Sequence, residues 1–433
     1  MLRTTAAVVA GKSARLAARL RGGGSAMPGL VVERIDPQFL AHALGSIPDG
    51  IVVVSGTNGK TTTTKMLASV LRAHGKRVFS NPTGSNFTRG VISSMLKEVP
   101  LTGRLDADIA VLELDEWHSL QFAKVVTPTH SLLLNVARDQ LDRFAEIDTT
   151  AKLLTTLAQA TTTGVVLNRD DSFIARIAPA LGEDTQIRYF GFDPAVVADL
   201  PPLQEADARF DDDFSPPPGG CTDGLLHPLD DREFSIAFGD SVVGPVRLRQ
   251  RGLAAMINAT AAVTTARMLL GDAFSEAATL EALRTVTPPF GRGEVIDAGG
   301  QPLELVLVKN PAGFTVALGT YGTEPVTTMV AINDDYADGQ DVSWLYDVSF
   351  ASLREQGVAL TSGVRAYDMA LRLDYDDVSV DAVVPDLEQA LDRLLREHPD
   401  EPRRIFCTYT AMMRLRRLLA ARYQLAQFGE EPH

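Results

Sequence analysis

From Gly50 onward, short apolar runs alternate with stretches in which apolar residues recur every three or four positions. Residues 51–56, "IVVVSG", are a β-branched run closed by glycine, the pattern of a parallel strand buried on both faces. Residues 61–77, "TTTTKMLASVLRAHGKR", place Met66, Leu67, Val70 and Leu71 on one stripe with Gly75 near the end, which predicts an amphipathic helix. Further buried-strand runs are 109–114, 130–136 and 164–168, several of them separated by helical pattern. Strands alternating with helices predict an α/β fold whose mainly parallel sheet has helices on both faces.

The rhythm breaks at 192–232, rich in Pro, Asp and Gly, which reads as a long surface insertion. Helical pattern resumes at 252–271, and "TPPFGRGE" at 287–294 reads as a hinge. A second α/β series follows, with strand runs at 303–310, 326–334, 358–363 and 404–410. The predicted organisation is an N-terminal basic helical segment (1–46), a central α/β domain (47–294, holding the 192–232 insertion) and a smaller α/β C-terminal domain (295–433).

Composition narrows the function classes. A net charge of −14 gives no bulk support for nucleic-acid binding. Cys221 and Cys407 lie far apart and form neither a metal-spaced set nor a disulfide framework, which fits a reducing compartment. Residues 1–24 carry Arg3, Lys12, Arg15, Arg19 and Arg21 and no acid, and read as a solvated basic helix at the domain edge, with an anionic lipid surface or a docking partner as the sharper reading. Their apolar run is too short for a signal-peptide core, and no stretch approaches the ~20 apolar residues of a membrane span.

The chemistry starts at "VVVSGTNGKTTTT", 52–64. A strand, a tight glycine turn and a helix opening with Lys-Thr make an anion site from free backbone N–H groups and the positive end of the helix dipole. Lys60 can reach the β- and γ-phosphates, and the Thr61 hydroxyl can ligate Mg²⁺. Gly56 and Gly59 enclose only two residues, where the usual phosphate loop has four. This short form resembles the loop of Mur ligases and folylpolyglutamate synthases, ATP-dependent ligases that act through an acyl phosphate. On that resemblance Thr57, Asn58, Gly59, Lys60, Thr61 and Thr62 bind ATP, and Glu113 in "VLELDEWHS" matches the Mg²⁺-associated glutamate. Glu116 reads as an N-cap or surface acid. "NVARDQLDRF" (135–144) resembles the family's N-x-x-x-D-H-x-D-R segment, with Gln140 in place of a metal-binding histidine. Lys152 reads as a surface lysine. Asn258 matches a residue near the adenine nucleotide and Arg292 one near the phosphates; "KNPAG" is read as facing the nucleotide or the substrate, with Lys309 a further candidate.

Read in series, "GGGSAMPG", 138–146, "KNPAG" (309–313) and "NDDYADGQDVSWLYD" (333–347) resemble the MurT family, the synthetase subunits of lipid II isoglutaminyl synthase. The resemblance implies ATP and Mg²⁺ as cofactors and a heterodimer with a GatD-like glutaminase. It implies amidation of the α-carboxylate of D-glutamate in the lipid II stem peptide, in the cytoplasm at the inner face of the plasma membrane. Contact with the membrane is then expected only through the lipid substrate. Asp341 matches the aspartate that completes the partner's Cys-His pair. Asp338 and Asp347 carry no assigned role. Cys407, in an apolar strand, reads as a buried thiol, and Trp117 and Trp344 as packing or interface residues. Asp368 and Arg372 read as an intrahelical ion pair. Many relatives carry a four-cysteine zinc ribbon; with Cys221 alone in the insertion, no zinc is expected. The alternative is an amino-acid ligase of the Mur or folylpolyglutamate type with no glutaminase partner, in which Asp341 is a turn residue.

Overall fold

The computed structural model describes residues 2–20, 26–81, 87–137, 147–196, 214–289, 291–322, 325–423 and 425, apart from the side chains of residues 19, 20, 26 and 292. Among the described residues the first sheet has nine strands. These are β1 (Ile51–Ser55), β2 (Val78–Ser80), β3 (Ile109–Glu113), β4 (His130–Leu133), β5 (Gly164–Asn168), β6 (Gln186–Phe192), β7 (Gly224–Pro228), β8 (Glu233–Phe238) and β9 (Ser241–Arg247). Their order is β2-β3-β1-β4-β5-β6-β7-β8-β9. All pairs from β2 to β7 are parallel, and β7-β8-β9 is an antiparallel meander. The chain leaves β1 towards β3 and β2, then returns to β4 on the other side. A crevice therefore opens where β1, β3 and β4 end, the usual ligand position in such sheets.

The apolar runs explain the central strands, since β1, β3 and β5 are buried at every position. The meander departs from expectation. β7 lies inside the 192–232 insertion, of which 197–213 falls outside the described residues, and β8 buries alternate residues (Phe234, Ile236, Phe238) as a one-sided strand should. With the short turn that follows it, the helix Leu253–Leu270 forms a stretch, Leu253–Ala273, that is long and apolar enough to cross a membrane, contrary to the sequence expectation. It is instead a core helix, with Met256, Ala259, Ala262, Val263 and Ala266 fully buried, as an all-round apolar helix requires.

The N-terminal segment corrects another expectation. Leu2–Leu20 is not simply solvated: Ala7 and Val8 are fully buried, packed into one core with Val32, Phe39, Val91 and Met95. Gly29 of the helix Ala26–Ile35 is there because a Cβ would lie 2.0 Å from the Arg89 carbonyl oxygen.

The second sheet comprises β10 (Arg292–Asp297), β11 (Pro302–Leu307), β12 (Thr327–Ala331), β13 (Val358–Ser362), β14 (Val380–Val383) and β15 (Arg403–Cys407), ordered β10-β11-β15-β12-β13-β14. Among the described residues only the β10–β11 hairpin is antiparallel in this sheet; β10 thus takes up the end of the expected hinge. Cys407 is fully buried, and burial pushes its thiol well above the ordinary range. Arg372 does not pair with Asp368. Its guanidinium reaches Asp376 at 2.9 Å and donates to the Leu345 and Val348 carbonyls, while Asp368 lies 3.5 Å from Arg365.

Candidate active site

The phosphate loop hangs between β1 and the helix Lys60–Ala73. Gly56 (φ +130°) and Gly59 (φ +86°) occupy left-handed backbone that disfavours any side chain. Space forbids one as well: a Cβ on Gly59 would meet Asn258 Oδ1 at 2.4 Å, and one on Gly56 the Asn135 nitrogen at 2.9 Å. Asn135, just past β4, holds the loop at three points. Its carbonyl accepts from Thr57 N (3.0 Å), its Oδ1 from Asn58 N (2.8 Å), and its Nδ2 donates to the Asn58 carbonyl (3.0 Å). Asp171 fixes the same turn from behind, accepting from Val136 N at 2.8 Å and capping the next short helix through Phe173 N and Ile174 N. Burial outweighs those three donors and pushes the Asp171 carboxyl up to about 6.

Lys60 opens the helix but is 9% exposed. Its ammonium donates to the Gly56 carbonyl and to Thr57 O (3.2 Å), and lies 3.5 Å from Glu116 Oε1. Glu116 is 4% exposed, so it is neither the surface acid nor the N-cap that the sequence suggested; Asp115 caps that helix. Parallel pairing of Val54 with Glu113 brings β3's end beside the loop. There Thr61 Oγ1 donates to Glu113 Oε1 at 2.9 Å, and Asn81 grips Glu113 through both its backbone groups at 2.8 Å. Two oxygens so spaced match neighbouring ligands on an octahedral Mg²⁺, which are about 3 Å apart at the usual bond length. The pair therefore fits a hard cation that takes its other ligands from water and phosphate. Among the described residues, no group of three or more His, Cys, Asp or Glu side chains is placed to hold a metal.

The second sheet's unit reaches the same loop. Lys309 Nζ donates to Thr57 O at 3.2 Å, and Asn310 Nδ2 to Asn58 Oδ1 at 3.1 Å. Asn310 also caps the helix Pro311–Tyr321, accepting from Gly313 N at 2.8 Å with proline at the first helical position. Two lysines and two helix starts thus converge on Thr57 and Asn58, an arrangement of donors suited to a polyphosphate. Beside it, Thr62, Lys65, Met66, Gln250 and Thr287 line a small crevice.

Thr57, Asn58, Gly59, Lys60, Thr61, Thr62, Glu113 and Asn258 therefore come together, and Lys309 joins them. The Arg292 side chain and Gln140, with the rest of 138–146, lie outside the described residues. Lys152 is exposed on the helix Ile147–Gln159. Sequence reasoning missed the structural weight of Asn135, Glu116 and Asn310; of these only Asn310, an Asn-Pro pair before a helical run, carried a readable capping signal.

Asp341 stands apart, on an exposed loop beyond β12. Its Oδ1 accepts from Ser343 N at 2.8 Å, and hydrogen bonding to Ser343 holds the carboxyl below its ordinary range. Asp338, three residues earlier, is buried and bonded to the Thr410 nitrogen (2.8 Å) and hydroxyl, so it anchors the loop to the start of the helix Tyr409–Ala420. Desolvation raises its carboxyl above the ordinary range. Trp344 is buried against Phe314, whereas Trp117 is half exposed.

Two family descriptions match the chain: Mur ligase middle domain over residues 54–207 and MurT ligase C-terminal over residues 307–412. The MurT subunit of the glutamine-hydrolysing lipid II isoglutaminyl synthase of Streptococcus pneumoniae is 30% identical, over 97% of this chain and 98% of that one. Among solved structures, MurF from Acinetobacter baumannii superposes with a TM-score of 0.67 at 20% identity, covering 90% of this chain and 80% of that one. MurF from Thermotoga maritima in complex with ADP gives 0.64 at 18% identity, covering 89% and 82%. With the short phosphate loop on a Mur-type sheet and the second sheet's unit closing over it, the chain belongs to the MurT family of Mur ligase-like proteins.

Proposed function

We propose that the chain is the ATP-dependent synthetase subunit of a glutamine amidotransferase that amidates the α-carboxylate of D-glutamate in the lipid II stem peptide, giving D-isoglutamine. The observation that carries this reading is the cleft where Lys60, Lys309 and the Thr61–Glu113 pair surround one glycine loop on a MurT-type chain. A carboxylate is a poor electrophile. Transfer of the γ-phosphoryl of ATP to it releases ADP and leaves an acyl phosphate. Ammonia then attacks the acyl carbon, inorganic phosphate departs, and the amide loses a proton to water or a nearby base. Lys60, Lys309 and the first N–H groups of the phosphate-loop helix would hold the phosphates and offset the charge that builds during transfer. Thr61 and Glu113 would hold Mg²⁺, which supplies charge neutralisation when bound. Gly59 leaves room for Asn258 to approach the nucleotide, and Thr62, in the first turn of the same helix, would bind beside Thr61. Arg292 retains its proposed place near the phosphates. In this reading 47–294 is the nucleotide domain, and 295–433 carries Lys309 and the partner-facing surface.

Ammonia would come from a GatD-like glutaminase, with the pair acting in the cytoplasm at the inner face of the plasma membrane. The support is local. The segment that holds Asp341 exposes Tyr336 and Tyr346, and the helix Ala366–Asp374 with its flanks exposes Val364, Tyr367, Leu371 and Tyr375, all by half or more. Exposed tyrosines beside apolar side chains mark docking surfaces. A carboxylate on that rim can orient a partner's histidine and stabilise its imidazolium. Asp341→Asn keeps the shape and removes the charge. Glutamine-dependent amidation by the complex should fall by orders of magnitude, while free ammonia with ATP restores it and the complex persists. If ammonia fails to rescue and ATP binding drops too, Asp341 serves the nucleotide site and the shared-triad reading is wrong.

A further inference from the structure

The outer face of the first helix takes no part in the site above. In Leu2–Leu20, Ala7, Val8 and Ala18 enter the core, and Gly11 packs against Val32. On the opposite side Leu2, Val9 and Leu16 are 91%, 48% and 63% exposed. Spaced seven residues apart, they fall on one line, roughly 20 Å long at the helical rise. Ala6, Ser13 and Ala17 fill the strip between them and are also exposed. A single exposed leucine is ordinary; a continuous strip on one helix face marks a contact surface.

Charge selects what fits it. No acidic residue precedes Glu33, yet Arg3, Lys12, Arg15, Arg19 and Arg21 do, in a chain of net charge −14. Arg3 is tethered to the Ile35 carbonyl (2.6 Å) and Lys12 to that of Val99 (2.8 Å), so these two cations do not interrupt the apolar row. A second copy laid on this face would bring like charges together. An anionic bilayer satisfies both features, because apolar side chains enter the acyl boundary while cations meet the headgroups.

We propose that the outer face of Leu2–Leu20 is a docking surface for an anionic lipid bilayer, with Leu2, Val9 and Leu16 entering the headgroup–acyl boundary. The contact is direct and does not run through a lipid-linked substrate, so it stands independently of which carboxylate the enzyme amidates. The test is sedimentation of the full chain with vesicles of phosphatidylcholine containing phosphatidylglycerol, against phosphatidylcholine alone. Binding should need the anionic lipid, weaken at high salt, and fall about tenfold or more in Val9→Glu and Leu16→Glu. Leu16→Ser, with an unchanged thermal midpoint, separates lost contact from lost fold. Absence of binding to the anionic vesicles, or equal binding by the folded variants, overturns the proposal. So does a concentration-dependent dimer that Leu16→Glu dissolves, which would give the row to a second copy.

Discussion

Lys60, proposed to hold phosphate, is also a structural side chain. Buried beside Glu116 and two loop carbonyls, it cannot be removed without leaving Glu116 an unpaired buried acid. Lys60→Ala should lower ATP turnover about a hundredfold or more and also lower the thermal midpoint; turnover at the wild-type rate would remove the lysine from the phosphate site. Glu113→Ala should raise the Mg²⁺ concentration needed for half-maximal ATP turnover, since Thr61 alone remains to hold the ion. An unchanged Mg²⁺ requirement would contradict the metal role. The lysine, the threonine and Glu113 were legible because loop, strand and helix occur in register in the sequence. Glu116 was not, because its burial depends on where β3 lies beside β1, and no local pattern carries that.

At the scale of elements, two buried charges hold pieces of the site in place. Arg372 ties the helix Ala366–Asp374 to the turn Ser343–Asp347, and so to the surface beside Asp341. Arg372→Ala leaves two carbonyls and Asp376 without it and should cost about 3 kcal/mol, read as a lower urea midpoint. Asp171 acts behind Asn135. Its folded carboxyl titrates about 6 against an ordinary value of 3.8, so the folded state holds the proton more tightly than the unfolded chain. Its contribution to stability is then greatest below the ordinary value, falls as pH rises between the two, and stays flat above. The stability of the wild type relative to Asp171→Asn should decline over that window; a difference independent of pH would show that the carboxyl titrates normally. Apolar runs revealed β1, β3, β4 and β5, because strands covered on both faces must be apolar throughout. β7 to β9 went unread. Their one-sided alternation is short, and Pro/Asp-rich text surrounds it, although Phe234, Ile236 and Phe238 do show the period of two.

Among the described residues, two sheets meet at the phosphate loop. Lys309 and Asn310 bridge to Thr57 and Asn58 across about 250 residues of chain, a juxtaposition that folding alone creates. The sequence order of motifs suggested both units and offered Lys309 as a candidate at the nucleotide or substrate, but not that Lys309 and Asn310 would bond directly to Thr57 and Asn58. Lys309→Ala should therefore weaken ATP turnover while leaving Thr61 and Glu113 in place, and unchanged kinetics would detach the C-terminal unit from the nucleotide. Metal analysis of the purified chain should find no stoichiometric zinc, and a bound zinc would reveal ligands other than a cysteine set. The most direct measurement follows nitrogen. The chain, a GatD-like glutaminase, lipid II, ATP and Mg²⁺ are combined with glutamine carrying heavy nitrogen in its side-chain amide, and the stem peptide is read by mass spectrometry. The label should appear as one carboxamide on the D-glutamate α-carboxyl, only with ATP and only with both subunits. Attachment of a whole amino acid in place of the labelled amide, or labelled product without ATP, would contradict the account.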